Sequence, residues 1–301
     1  MEQLHSHPKI CNCLKLAAAF SLVLLGGCAS LSGGTSAKVA ATTKANYYPN
    51  CYEPVSQLRS SDAEMQRAVA TGAVTGGLLG GLVGALSGGD NAGRNVLIGA
   101  ATGALVGGAA GYYTQRQKQI SDDHARIASY GGDFEQSTMD LDRSIVYAKS
   151  AQDCYNREFE NLRAAHKAKS MSDAEGRERF TEIVSGLKET NALLAAADGR
   201  AGEDINTYQQ AYEKDLQQIG VERQAAADAA RAKQVTTRKA SKPKPAAQPV
   251  PREVVNTETQ LQKASAKRSE AQEVSSRGSN IISSACSSPD VGGWADPACS
   301  A

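Results

Sequence analysis

Two stretches, TGAVTGGLLGGLVGALSGG (71–89) and NVLIGAATGALVGGAAGYY (95–113), decide the fold of this chain. The region from 72 to 111 holds 14 of the chain's 28 glycines. Most of them recur every fourth residue, at Gly72, Gly76, Gly80, Gly84, Gly88, Gly99, Gly103, Gly107 and Gly111. Residues four apart share one helix face, so each stretch predicts a helix with a stripe that lacks side chains. Another helix can pack closely against such a stripe in lipid.

The charge pattern around these stretches favours a membrane hairpin. There are 22 uncharged residues between Arg67 and Asp90, and 21 between Arg94 and Arg116. Both runs reach the roughly 20 residues that a helix needs to cross hydrocarbon. The link at 87–95 is rich in Gly, Asn and Ser, which favour turns. Ser61 and Glu64 form a capping-box pattern upstream, so we expect the first helix to start near 62 and the hairpin to occupy 61–116.

The N-terminus carries the features of an export signal. Lys9 and Lys15 precede the uncharged apolar run from Leu16 to Leu25, which is too short to remain as a membrane span. We therefore expect residues 1–27 to be a cleaved signal peptide. Residues 28–60 contain a stretch of Ser, Thr, Gly, Ala and Lys without apolar periodicity, which is typical of a flexible tether.

Two motifs resemble known families. Leu25-Gly26-Gly27-Cys28 resembles the lipobox of bacterial lipoproteins, which implies that Cys28 receives lipid, including palmitate. The residues after Cys28 are Ala and Ser rather than Asp, which by this resemblance favours the outer membrane. The glycine pattern resembles the glycine-zipper two-transmembrane proteins, found among outer-membrane lipoproteins. That resemblance implies a membrane-inserted hairpin that oligomerises and a role in envelope integrity, with no enzyme activity and no catalytic residues.

The second half of the chain predicts long helices. No proline occurs between 55 and 242, and apolar residues recur at spacings of three and four. We expect Gly131 and Gly132 to break the helix that leaves the membrane, and a capping box at Ser172 to start a helix running from 173 to 231. Residues 117–231 should then form an antiparallel coiled-coil stalk that turns near 169–172. We interpret the apolar stripes as its core; the alternative is a groove for a partner helix.

The C-terminal part is predicted to be less regular. Seven basic residues and no acidic residue lie between 230 and 252, and prolines alternate through the later part of this stretch. We interpret 232–255 as an extended, solvated linker; the alternative is weak contact with anionic lipid or peptidoglycan. Residues 256–301 should contain one short helix, about 256–276, followed by a disordered tail.

Four cysteines beyond Cys28 suggest disulfides, because the chain is exported. Three pairings are possible, and we favour two bonds, Cys51 with Cys154 and Cys286 with Cys299. A hairpin returns the chain to the side from which it entered, so Cys154 can arrive near Cys51. Zinc is less favoured, because no His lies near the C-terminal pair and the spacing is unlike that of zinc fingers. No metal and no cofactor is predicted.

Composition narrows the class of function. Lys and Arg number 33 against 32 acidic residues, which excludes a nucleic-acid binder that acts through overall basicity. Nucleophile, phosphate-binding and zinc-protease motifs are absent from the sequence. The prediction is an all-α lipoprotein of the outer membrane, anchored in lipid, with a periplasmic stalk. It would act as a non-catalytic structural or scaffold component, with itself and possibly an envelope protein as partners. The alternative is an oligomeric pore or a component of a secretion complex.

Overall fold

The computed structural model describes residues 39–70, 108–238, 250–295 and 298–300. The chain divides into two compact units, Met1–Ala37 and Lys38–Ala301, and the described residues all belong to the second. The predicted signal peptide, Cys28, the turn at 87–95 and every zipper glycine except Gly111 lie outside them.

The described residues form an all-α fold, as predicted, and contain no strand. The helices, numbered in chain order, are α1 (Pro49–Ala70), α2 (Gly108–Gln119), α3 (Asp123–Lys167), α4 (Asp173–Gln218), α5 (Arg223–Arg238) and α6 (Arg252–Cys286). A short 3-10 turn, Gly292–Trp294, follows α6.

The helices α3 and α4 form the antiparallel pair that the sequence predicts. Arg126 contacts Asp215 near one end of the pair, and the rings of Phe159 and Phe180 lie 6.0 Å apart near the other. The chain turns between them at 168–172, and the Ser172 hydroxyl accepts a hydrogen bond from the backbone of Glu175. That bond satisfies one of the free amides at the start of α4.

The helix α6 is a full member of the bundle and spans 35 residues, well beyond the predicted 256–276. It packs against both α3 and α4: Lys267 pairs with Asp142 of α3, and Arg268 with Asp198 of α4. Most of its buried side chains are small, among them Val254, Ala264, Ala271 and Val274, whereas Glu258 and Leu261 are larger. Small side chains give a weak apolar pattern, which explains why the sequence signal is short.

The helix α1 starts at Pro49 and not near 62, so the capping box at Ser61 does not mark a helix start. Proline is well suited to a first helical position because its missing N–H needs no partner there. Cys51, Val55 and Leu58 are buried, which places the first half of α1 in the bundle core. The tether prediction for 28–60 therefore does not describe its last twelve residues.

Two other helix boundaries differ from prediction. The break after α2 lies at 120–122, and α3 runs through Gly131 and Gly132. A Cβ on Gly131 would lie 3.1 Å from Oγ1 of Thr257, so this glycine lets α6 approach closely rather than ending a helix. The helix α4 ends at Gln218 instead of continuing to 231, because the chain turns at Gly220, whose φ is +69°. Gly199 and Gly202 do not interrupt it.

The segments predicted to be flexible or disordered pack on the bundle where they are described. Residues 39–48, which we call the strap, lie against α4 and α1. At the other end of the chain, Trp294 is buried against Gly176 and lies 4.1 Å from the His166 ring, measured between centroids. A side chain at Gly176 would overlap the indole ring.

Candidate functional site at the ends of the glycine segment

The helices α1 and α2 flank the glycine segment, 71–107, and lie one after the other in the groove between α3 and α4. Their contacts progress along α3 from Cys154 through Arg143 to Asp133, and along α4 from Arg200 through Tyr208 to Asp215. The pairs on α3 are Cys51–Cys154, Glu64–Arg143 and Arg116–Asp133. The pairs on α4 are Asp62–Arg200, Tyr112–Tyr208 and Tyr113–Asp215. The end of α1 and the start of α2 therefore lie at neighbouring levels of the bundle.

The return point is held by a buried ion pair. Arg116 is 1% exposed and its guanidinium binds the carboxylate of Asp133. The Tyr112 hydroxyl donates to the same carboxylate and accepts a bond from Nε of Arg116 at 3.1 Å. Burial raises the pKa of Asp133, and Arg116 opposes that rise. Tyr112 and Arg116 thus fix the second and third turns of α2 on α3 through Asp133.

A second buried network joins α2, α3 and α4. The Asp215 carboxylate is fully buried and binds Arg126 through two bonds of 2.7 and 2.6 Å. It also accepts bonds from the hydroxyls of Tyr130 at 2.7 Å and Tyr113 at 3.1 Å. Burial raises the pKa of Tyr130 well above its usual value, with Asp215 adding to the rise, so its hydroxyl stays a donor.

A third buried ion pair lies in the second half of α1 and joins Asp62 to Arg200 of α4. One turn further along α4 lies Asp204. Burial and the neighbouring Glu203 raise the pKa of Asp204 to about 7, although Arg200 acts in the opposite direction. The surroundings of Asp204 therefore disfavour its charged form.

The strap is held by two glutamates of α4. Glu189 accepts bonds from the backbone N–H groups of Thr42 and Thr43 and pairs with Arg59 of α1. Burial of Glu189 disfavours its charged form, but the hydrogen bonds from these donors outweigh that effect and lower its pKa to about 2. Glu182, two turns earlier, accepts from the backbone N–H groups of residues 46–48. The strap is therefore fixed to the side of the bundle that carries α1.

The packing of α2 shortens the second uncharged run that the sequence pattern assigned to a membrane span. Tyr112 and Tyr113 are 1% and 9% exposed within the protein, so they are not available to lipid. Only 17 residues separate Arg94 from Tyr112. Among the described helices, none is both long enough and apolar enough to span a bilayer.

The predicted site residues fall into three groups. The structure forms both favoured disulfides, Cys51–Cys154 and Cys286–Cys299. Gly111 lies in α2, partly exposed, while Cys28 and the other zipper glycines lie outside the described residues. In the described part of the chain, no group of three or more His, Cys, Asp and Glu side chains is placed to hold a metal ion.

Sequence reasoning missed the buried charges at Asp62, Arg116, Arg126, Asp133 and Asp215. A single charge within a helical stripe looks the same as a charge at its solvated edge, because the helical period does not fix which neighbour covers it. The Asp122-Asp123-His124 cluster lies on the surface: Asp122 caps α3, and His124 is about half exposed.

Comparison with known proteins singles out the glycine segment and the helices α1 and α2 on either side of it. No curated protein and no solved structure matches the chain. Residues 51–115, from the disulfide cysteine of α1 to the middle of α2, match the model of the YMGG-like Gly-zipper family. That family indicates a membrane-associated protein. The match covers 65 of the 301 residues, namely the glycine segment with most of the helices before and after it, and it supports a glycine-zipper protein.

Proposed function

We propose that this protein is a lipid-anchored structural component of the cell envelope, with its glycine segment inserted in the membrane. The observation that carries the proposal is the packing of α1 and α2, the helices that precede and follow the glycine segment. The helices before and after it are both fixed to one helical bundle by buried ion pairs, and a disulfide braces the start of α1. A rigid frame around a glycine-zipper segment suits mechanical attachment of a folded domain to a bilayer.

Lipid at Cys28 would supply the stable part of the attachment. Several acyl chains on one residue hold a protein to a bilayer far better than a single chain does. The lipobox and the residues after Cys28 favour the outer membrane, which would leave the bundle in the periplasm. The glycine stripe would add pairing between copies, because small residues allow close helix contact in lipid.

The bundle would act by contact rather than by catalysis. Its surface carries many exposed ion pairs, such as Lys149–Glu270 and Arg277–Asp153, and these are features of a solvated domain. Partners would be other copies of the chain, through the glycine stripe, and an envelope protein, through α3 and α4. The basic segment 230–252 would contribute weak contacts with anionic lipid or peptidoglycan.

The test compares three variants in cells that lack the native chain. Cys28→Ser removes the acylated thiol, and Gly80→Leu with Gly103→Leu fills the glycine stripe. Gly132→Ala is the matched control, because nothing lies within 4 Å of a Cβ at that position. The measurements are palmitate incorporation, retention in membranes after alkaline carbonate extraction, and leakage of a periplasmic enzyme.

We expect Cys28→Ser to abolish palmitate incorporation and the Leu variant to weaken retention, and both to fail to restore the envelope barrier. The control should restore it fully. Normal barrier function in both variants would refute the proposal. Single-channel conductance from the purified protein, lost in the Leu variant, would show instead that the assembly is a pore.

A further inference from the structure

We infer that the bundle lies along the bilayer with the face formed by α1 and α2 on the lipid surface and α6 on the far side. The inference rests on the proposed membrane insertion of the glycine segment. It replaces the stalk projecting from the membrane that the sequence suggests with a domain that lies flat on it.

The first argument is the layering of the bundle. The pair α3–α4 has α1 and α2 on one side and α6 on the other. Consecutive residues of α3 show this arrangement: Cys154 is bonded to α1, whereas Asp153 pairs with Arg277 of α6 and Gln152 binds the backbone of Val274. A surface that approaches from the side of α1 and α2 therefore cannot also touch α6.

The second argument is where the glycine segment joins the bundle. It leaves after α1 and returns at α2 between the levels of Arg143 and Asp133 on α3. That helix extends from Asp123 to Lys167, so the junction is ten residues from one end and more than twenty from the other. A segment that enters lipid from the side of a bundle holds the bundle axis along the surface rather than upright.

The third argument is the length of the second arm. The 17 residues between Arg94 and Tyr112 reach about 25 Å as a helix, which is less than the roughly 30 Å of hydrocarbon. None of these 17 residues is left over to form a spacer between the bilayer and the bundle. Because Tyr112 is fixed inside the bundle, the surface around it must lie at the headgroups if the arm enters the bilayer.

The fourth argument comes from exposed apolar side chains at the same level. Among the described residues, the large hydrophobic side chains that remain exposed are Met139 and Val146, at 50% and 55%. They lie one turn before and one turn after Arg143, which approaches Glu64 of α1 at 4.0 Å, and equally close to Asp142, which pairs with Lys267 of α6. They therefore mark the flank of α3 between the two faces. Apolar side chains at the edge of a membrane-facing surface are stabilised at the boundary of headgroups and acyl chains.

The experiment measures contact with lipid at single tryptophans in the full mature, lipidated protein. The native Trp294 is replaced by Phe, and one tryptophan is then introduced as Met139→Trp, Thr114→Trp, Ser276→Trp or Ile98→Trp. Thr114 and Ser276 are exposed on α2 and α6, so they report on opposite faces. The protein is reconstituted in vesicles whose lipids carry bromine near the headgroups or deep in the acyl chains.

We expect shallow bromine to quench the fluorescence of Met139→Trp and Thr114→Trp and to leave that of Ser276→Trp unchanged. Ile98→Trp, within the glycine segment, reports insertion itself and should be quenched by deep bromine. Quenching of Ile98→Trp without quenching of Met139→Trp and Thr114→Trp would overturn the flat arrangement and leave the proposed function intact. Equal quenching of Ser276→Trp would overturn the choice of face, and an unquenched Ile98→Trp would overturn both proposals. Far-ultraviolet circular dichroism checks that each variant keeps its helices.

Discussion

Cys51, in the first turn of α1, is bonded to Cys154, about two thirds of the way along α3, with a Cα–Cα distance of 5.3 Å. The bond joins residues 103 positions apart, and the loop that it closes contains α1, the glycine segment, α2 and much of α3. It fixes the start of α1 in the groove ahead of the point where the glycine segment leaves the bundle.

Removing this disulfide should destabilise the bundle more than removing the second one. In the chain-entropy model the effect of a cross-link grows with loop length, and Cys286–Cys299 closes only 13 positions. We expect Cys51→Ser with Cys154→Ser to lower the free energy of unfolding by about 2–5 kcal/mol. Urea unfolding followed by circular dichroism measures both double variants. A larger loss from Cys286→Ser with Cys299→Ser would contradict this ranking.

The buried Asp215 network should be among the most sensitive polar sites in the bundle. Asp215→Asn removes the buried charge that faces Arg126 and leaves its guanidinium with the partly exposed Asp123 as its remaining ion-pair partner. Losing one member of a buried pair costs about 3–5 kcal/mol. Glu270→Gln is the control, since its pair with Lys149 is partly exposed and should change stability by less than about 1 kcal/mol. Thermal unfolding of the two variants, compared at one pH, tests the difference.

Glycines within the described helices should differ sharply in their tolerance of a methyl group. A Cβ on Gly186 would overlap the ring of Tyr155, whereas one on Gly132 would meet nothing within 4 Å. We expect Gly186→Ala to destabilise by about 1–3 kcal/mol through overpacking. Gly132→Ala should stabilise by about 1 kcal/mol, because Ala is the better helix former. If both substitutions stabilised the protein, close packing at Gly186 would not be a constraint.

The sequence predicted the features that follow from a single local pattern. The antiparallel α3–α4 pair follows from the apolar spacing, and the start of α4 from Ser172 and Glu175. The Cys51–Cys154 pairing was predicted correctly, although the expected break at Gly131 and Gly132 lies at 120–122 in the structure. Each depends on residues close in sequence, or on the topology of one hairpin. These elements could be predicted because no other part of the chain is needed to define them.

The features that were missed depend on partners far away in the sequence. Gly131 looks like a helix breaker until α6 is seen to bring Thr257 against it. Residues 39–48 look like a tether, but Glu182 and Glu189 lie more than 130 positions later and satisfy their backbone amides. The length of α6 was underestimated for a related reason, because its alanines are buried only in the presence of α3 and α4.

Acid should release the strap before it unfolds the bundle. The pKa of Glu189 is about 2 in the folded protein, against an ordinary value of 4.5. A lowered carboxylate pKa stabilises the folded state above the ordinary value, and the benefit is lost as pH falls from about 4.5 towards 2. We expect a loss of about 2 kcal/mol over that range, less than the full shift implies, because Arg59 is partly exposed. Hydrogen exchange of the Thr42 and Thr43 amides should show it. In Glu189→Gln these amides should exchange quickly at every pH, and unchanged protection would argue against the strap contact.

Asp204 should give the opposite pH dependence near neutrality. Burial, with a contribution from Glu203, raises its folded-state pKa to about 7 from an ordinary 3.8. A raised carboxyl pKa stabilises the folded state below the ordinary value, and stability is lost as pH rises from about 4 to 7. We therefore expect Asp204→Asn to flatten the stability profile in that range and to stabilise the protein at pH 7.5 by roughly 2 kcal/mol. Glu203→Gln is the matched neighbour, and it should move the midpoint to lower pH without removing the slope. If the stability profile of Asp204→Asn kept the native slope, the titration would belong to another group. Asp133 would be examined first, because burial raises its pKa too and it pairs with Arg116 of α2.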